Sequence, residues 1–236
     1  MDALNQIPSH LVRGENYGAL HNMLQAAGLL NQSVNARNQA MFKWQHAEDF
    51  RTVKAKYHQA AVRHKLPFFS DITEGRVLAA TRAWYNVLYG HFGKDVVSGF
   101  KEVRFCCGTV GGSFPVESCE EQFGELVGFL GRLCVRPKFI FCTRRSTSFE
   151  DNRKLYAMRE ESNRPPEDVF MRGVNLTIAL YDDYSARNPT RAFRLYTEDM
   201  FDPTVNATLA QNMLRFLGER PTKISFARMP GWSSGR

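Results

Sequence analysis

The sequence predicts an α/β fold, a single domain over residues 1–236 arranged as a three-layer sandwich around a mainly parallel sheet. Three observations predict it. Short β-branched or aromatic runs alternate along the chain with longer stretches of helical period. One of those runs, Lys138-Phe-Ile-Phe-Cys-Thr-Arg144-Arg145, reads as a buried strand that opens onto a turn and a helix start. A hydrophobic content of 43% over 236 residues is enough to bury one large core.

Taken in order, His10-Leu-Val-Arg13 is the first strand, ending at Gly14-Glu15-Asn16-Tyr17-Gly18. Leu20, Met23, Leu24 and Ala27 then recur at helical spacing, and residues 31–65 continue as a polar, mostly helical stretch. Pro67-Phe-Phe-Ser70-Asp71 carries a capping signal, and the helix after it lines up Val77, Leu78, Thr81, Trp84, Tyr85, Leu88 and Tyr89 on one face. A second strand is expected over 97–105, with a loop at Gly108-Thr-Val-Gly-Gly112. A helix from Ser118 follows, through Phe123, Leu126, Val127, Leu130 and Leu133. The third strand covers 138–143. Helices over 149–158 and about 167–187 flank the break at Arg164-Pro-Pro166. The fourth strand covers 192–197, and a last helix through Leu209, Met213, Leu214 and Leu217 stops at Gly218, a common helix-terminating residue.

The charge balance, 31 basic against 24 acidic residues for a net +7, favours phosphorylated or polyanionic ligands over cationic ones. A basic nucleic-acid module would need a recognition helix or aromatic and basic stripes on a sheet. Neither is present, so no nucleic-acid partner is expected. The five cysteines form no C-x-x-C pair and are odd in number, which makes reduced, buried thiols the expectation. The amino terminus has no signal-peptide pattern and no window is apolar enough to span a bilayer, which predicts a cytoplasmic protein without a transmembrane segment. The sequons at Asn31, Asn175 and Asn206 carry little weight in that setting. Histidines 10, 21, 46, 64 and 91 have no metal-ligand spacing, so no metal is expected. No G-x-S-x-G or Cys/His arrangement suggests a hydrolase.

The strand ending in Arg144 carries the chemistry. A guanidinium at a buried strand's carboxyl end, next to a helix start at Ser148, suits an anionic, nucleotide-like ligand. Lys101 and Arg104 lie an odd distance apart, so strand alternation sends them to opposite faces. Glu15 follows a strand directly, where a carboxylate serves either as a base or as a cap for the next helix. Glu198-Asp199 fits an ion pair or cap better than a catalytic role.

Four segments, in this order, resemble the sulfotransferase family that uses 3′-phosphoadenosine-5′-phosphosulfate, in its bacterial branch. They are Arg13-Gly-Glu-Asn-Tyr17, Gly99-Phe-Lys-Glu-Val-Arg104, Phe139-Ile-Phe-Cys-Thr-Arg144, and Tyr196-Thr-Glu-Asp-Met-Phe-Asp-Pro203 followed by Leu214-Arg-Phe-Leu-Gly218. The resemblance spans Ile7 to Gly218. It implies a P-loop-NTPase-like topology and sulfuryl transfer to a small-molecule or glycan acceptor through a hydroxyl or amine. It also implies Arg144, Ser148 and Asn152 at the nucleotide's 3′-phosphate, with Glu15 and Lys101 catalytic. The chain departs from the pattern in two places. The family's first strand and its G-x-x-R-S-G-S/T sulfate loop have no counterpart before Leu4, so the chain is expected to be inactive as it stands. Asn152 stands where the family has serine. The alternatives are a non-enzymatic relative binding a nucleotide or a partner, and a basic nucleic-acid-binding module.

Overall fold

A computed structural model of the chain describes residues 2–14, 18–45, 72–90, 92–108, 114–157 and 164–226. Two compact units make it up: Met1–Ala19 together with Tyr89–Arg236, and Leu20–Leu88.

The larger unit is α/β. It opens with a single helical turn, α1 (Asp2–Asn5), and the strand β1 (His10–Arg13). β1 pairs in parallel with β2 (Val97–Phe100), in register from His10↔Val97 to Arg13↔Phe100. The ladder runs one bond further at each end, as the Val97 N–H reaches the Ser9 carbonyl (2.7 Å) and the Lys101 N–H reaches that of Arg13 (3.0 Å). Asn5 closes the outer edge of β1. Its carboxamide accepts from the Val12 N–H (2.7 Å) and donates to the Val12 carbonyl (3.0 Å), as a neighbouring strand would.

A second parallel pair joins β3 (Phe139–Thr143) to β4 (Ala192–Tyr196), from Phe139↔Ala192 to Thr143↔Tyr196. Helices cover both faces. Alternation sends Phe139 and Phe141 to one side, where they meet Tyr181 and Tyr184 of α6 (Glu167–Arg187) and, at Phe141, Phe123 of α4 (Cys119–Leu133). Phe141 and Tyr181 stack with centroids 4.4 Å apart. Ile140 and Phe193 face the opposite way, onto a cluster of Ala3, Ile7, Ala210, Met213, Leu214 and Ile224. Met213 and Leu214, each 1% exposed, come from α8 (Asn206–Leu217), and burying a side chain of that size is worth about 1.5–3 kcal/mol.

Between these elements lie α5 (Phe149–Ala157), the short α7 (Thr197–Phe201) and a 3₁₀ turn at Val116–Ser118. In the smaller unit, α2 extends from Ala19 to Gln45 and α3 (Glu74–Tyr89) reaches its last residue just beyond it. The Arg76 N–H bonds the Thr73 hydroxyl (3.3 Å), so α3 is capped at Thr73; the Ser70 and Asp71 capping signal lies outside the described residues. Val77 and Thr81 are buried as expected, but Trp84 and Leu88 keep 43% and 50% of their surface.

Three expectations need correction. The second strand stops at Phe100 instead of running to 105, because Glu102 folds back onto the N–H of Arg104 (3.1 Å) and breaks the extended backbone. The sheet is parallel but comes as two separate pairs among the described residues. The thiols are not all reduced: Cys107 and Cys119 form a disulfide, which does not include Cys106, Cys134 or Cys142. Among the described residues, no helix is long and apolar enough to cross a membrane.

Candidate functional site

The carboxyl ends of β3 and β4 sit side by side, and the polar residues that follow them form one cluster. Thr143 and Tyr196 are register partners, and the Thr197 hydroxyl donates to the Thr143 carbonyl (3.4 Å), tying the start of α7 to the end of β3. Arg194 underpins this corner from inside. It bonds Asp182 (2.5 Å), the Phe141 carbonyl (3.1 Å) and the Thr143 hydroxyl (2.6 Å), with its guanidinium 4.3 Å from the centre of the Tyr196 ring. An arginine so committed is structural, and Asp182 offsets its charge.

Arg144 and Arg145 then diverge. Arg145 lies over the Tyr196 ring at 4.2 Å, its N–H points at Glu198 (3.2 Å), and its guanidinium pairs with Asp199 (2.5 Å). Glu198 and Asp199 therefore serve this arginine. The exposed Arg144 reaches over α5 and donates to the Asp151 carbonyl (2.5 Å). Among the described residues, Arg144 makes no ion pair with a carboxylate.

Ser148 sits at the start of α5, and its hydroxyl accepts from the Asp151 N–H (3.3 Å), a capping contact. The Asp151 carboxylate in return takes the hydroxyl hydrogens of Ser146 and of Ser148 (2.8 Å). Those two bonds, with a smaller contribution from Arg144, hold the Asp151 carboxyl below its usual range. Asn152 is 3% exposed, and its amide donates to the carbonyls of Ser146 (3.0 Å) and Ser148 (2.9 Å), which fixes the turn. The structure thus gathers Arg144, Ser148 and Asn152 into one turn. Asp151, which sequence reasoning left out, occupies the hydroxyl donors there as an internal anion.

Lys101 is exposed just beyond the end of β2, and its charge is felt at Cys142 of β3. Burial of the sulfur pushes the Cys142 thiol up, with Arg194 pulling the other way and Glu198 adding to the rise, although the residue keeps exposed surface. Arg104 is not on a strand face. It pairs with Glu102 (3.3 Å), whose side chain is 1% exposed and also accepts the Gly18 N–H (3.0 Å). Glu102 thereby anchors the far end of the loop that leaves β1. Glu15, in that loop, lies outside the described residues, as do residues 46–71, His91 and 109–113 of the glycine-rich loop. Among the described residues, no group of three His, Cys, Asp or Glu side chains is placed to hold a metal ion.

Compared with protein-family models, with curated proteins and with solved structures, the chain matches none.

Proposed function

We propose that this chain is a sulfotransferase-like domain that binds 3′-phosphoadenosine-5′-phosphosulfate and passes its sulfuryl group to a hydroxyl or amine of a small-molecule or glycan acceptor. One observation carries the reading. Arg144, Ser148 and Asn152 converge on a single turn at the carboxyl end of a parallel strand, where open α/β folds hold phosphorylated ligands. Arg144 there supplies a charged fork for the 3′-phosphate.

The topology supports a P-loop-like arrangement in which one more parallel strand lies between β2 and β3. Asn5 already closes the outer edge of β1, so the pair β1–β2 can extend only beyond β2. Among the described residues, β2 and β3 do not pair with each other. A parallel strand with an open edge is a template for another, and parallel sheets seldom stop at two strands.

In the transfer, the acceptor's proton passes to Glu15 and the freed lone pair attacks sulfur. The bond from sulfur to the 5′-phosphate oxygen breaks, and adenosine 3′,5′-bisphosphate leaves. The work of the protein is positioning and charge stabilisation, as in phosphoryl transfer. Lys101 offsets negative charge on the transferring and leaving oxygens. The fifth strand brings the sulfate loop, whose backbone N–H groups cradle the phosphosulfate.

The test is transfer of labelled sulfate to a panel of acceptors. Removing even one cradle donor should cost about 10²–10³ in rate. A version extended by a strand ending in G-x-x-R-S-G-S/T should transfer, and Glu15→Gln should slow it while nucleotide binding holds. Robust transfer by the 236-residue chain would mean that another segment forms the cradle.

A second reading, a non-enzymatic relative, draws support from Asp151. Its carboxylate holds both serine hydroxyls, so the turn is complete without a ligand.

A further inference from the structure

We infer that Cys107–Cys119 is a structural cross-link formed in an oxidising compartment, and that the chain folds and works outside a reducing cytosol. Both cysteines are buried, at 0% and 1% exposure, with Cα atoms 5.5 Å apart, inside the range that a disulfide spans. Each is held in place by its own element. The Cys107 N–H donates to the Thr177 hydroxyl (2.8 Å), which donates in turn to the Gly173 carbonyl of α6. Neighbouring backbone bonds join Phe114 to the Cys106 carbonyl (3.0 Å) and Gly108 to the Phe114 carbonyl (2.7 Å). Cys119 begins α4, whose residues Phe123, Leu126, Val127 and Leu130 are buried. Reduction would force two thiols into space packed for one bridge, and close-packed interiors resist such overfilling.

The pairing is selective. Cys106, next in sequence, is outside the bridge and turns its thiol to the Val103 carbonyl (3.0 Å). The bridge joins residues 12 apart in sequence, and a cross-link of this kind stabilises by limiting the freedom of the unfolded chain. Bonds of this kind persist in oxidising compartments and are rare where glutathione and thioredoxin keep thiols reduced. Formation is balanced: the two thiols lose two protons and two electrons to the disulfide of a thiol oxidoreductase, which departs as a dithiol. The cross-link does not depend on which anion binds near β3.

The experiment starts with the chain's own cells, lysed into excess N-ethylmaleimide under denaturing conditions. The protein is captured, reduced, labelled with iodoacetamide and mapped by mass spectrometry. Cys107 and Cys119 should carry the second label, and Cys106 and Cys142 the first. N-ethylmaleimide on Cys107 and Cys119 overturns the inference. As a second measurement, reductant should lower the melting temperature of the purified protein by about 6–12 °C. An unchanged melting temperature under conditions that do reduce the bond would overturn the structural role.

Discussion

Asp151 shows what a single side chain does to the proposed binding site before any ligand arrives. By accepting the hydroxyls of Ser146 and Ser148, it satisfies the donors that an incoming phosphate would use. An anion must displace it or share its partners, which makes Arg144 the decisive charge. Arg144 was legible in the sequence because two arginines ending an apolar run have few readings. Asp151 was not, since an acid in the first turn of a helix looks like an ordinary capping contact. In the same unit, His10 is buried in β1, 3.8 Å from Glu219. Burial lowers its pKa below the usual 6.5, and Glu219 only partly offsets that. The sign follows. Below about pH 6.5 the unfolded chain takes up a proton that the folded chain resists, so stability falls as the pH drops through that range and the penalty levels off below the folded pKa. Denaturant titrations between pH 8 and 5 should show this slope, and His10→Gln should flatten it. Equal slopes in the two proteins would remove His10 from the account.

Helices were more legible than strands. The helix expected over about 167–187 is Glu167–Arg187, because 21 residues of consistent period outweigh any local ambiguity. The strand expected over 97–105 lost its second half, since the run Phe100-Lys-Glu-Val-Arg104 alternates well enough. Nothing local reveals that Glu102 will turn back to bind Gly18 and Arg104. The expected face of α3 was only half right: Val77 and Thr81 are inside, whereas Trp84 and Leu88 keep much of their surface. Periodicity identifies an apolar stripe but not how much of it a partner covers. Gly218 was read correctly as a helix stop. It adopts φ 82° and its N–H reaches the carbonyls of Arg215 and Leu214, closing α8 beneath the Met213–Leu214 cluster. Gly218→Ala should destabilise the protein by about 1 kcal/mol, because a Cβ is strained at positive φ. Urea unfolding gives the value. An unchanged midpoint would mean that the turn relaxes at no cost.

At the scale of the whole molecule, alternation of strand and helix correctly announced parallel pairing, which all nine register pairs in the two ladders obey. It did not announce that the ladders would be separate, because sheet continuity depends on long-range pairing that no local pattern encodes. The Cys107–Cys119 bridge was hidden for a similar reason: a spacing of 12 is no metal or redox motif, and only the fold brings the two together. The central claim, a nucleotide site at the carboxyl end of β3, is tested most directly by calorimetric titration of adenosine 3′,5′-bisphosphate. The ligand goes into the 236-residue chain, into the version extended by the sulfate-loop strand, and into Arg144→Ala of each. Binding should be weak in the first and tighter in the second. Arg144→Ala should cost about 1.5–3 kcal/mol in the extended protein through the loss of a charge-assisted contact. Equal affinities with and without the Arg144 guanidinium, or no binding even with the added strand, would contradict the account.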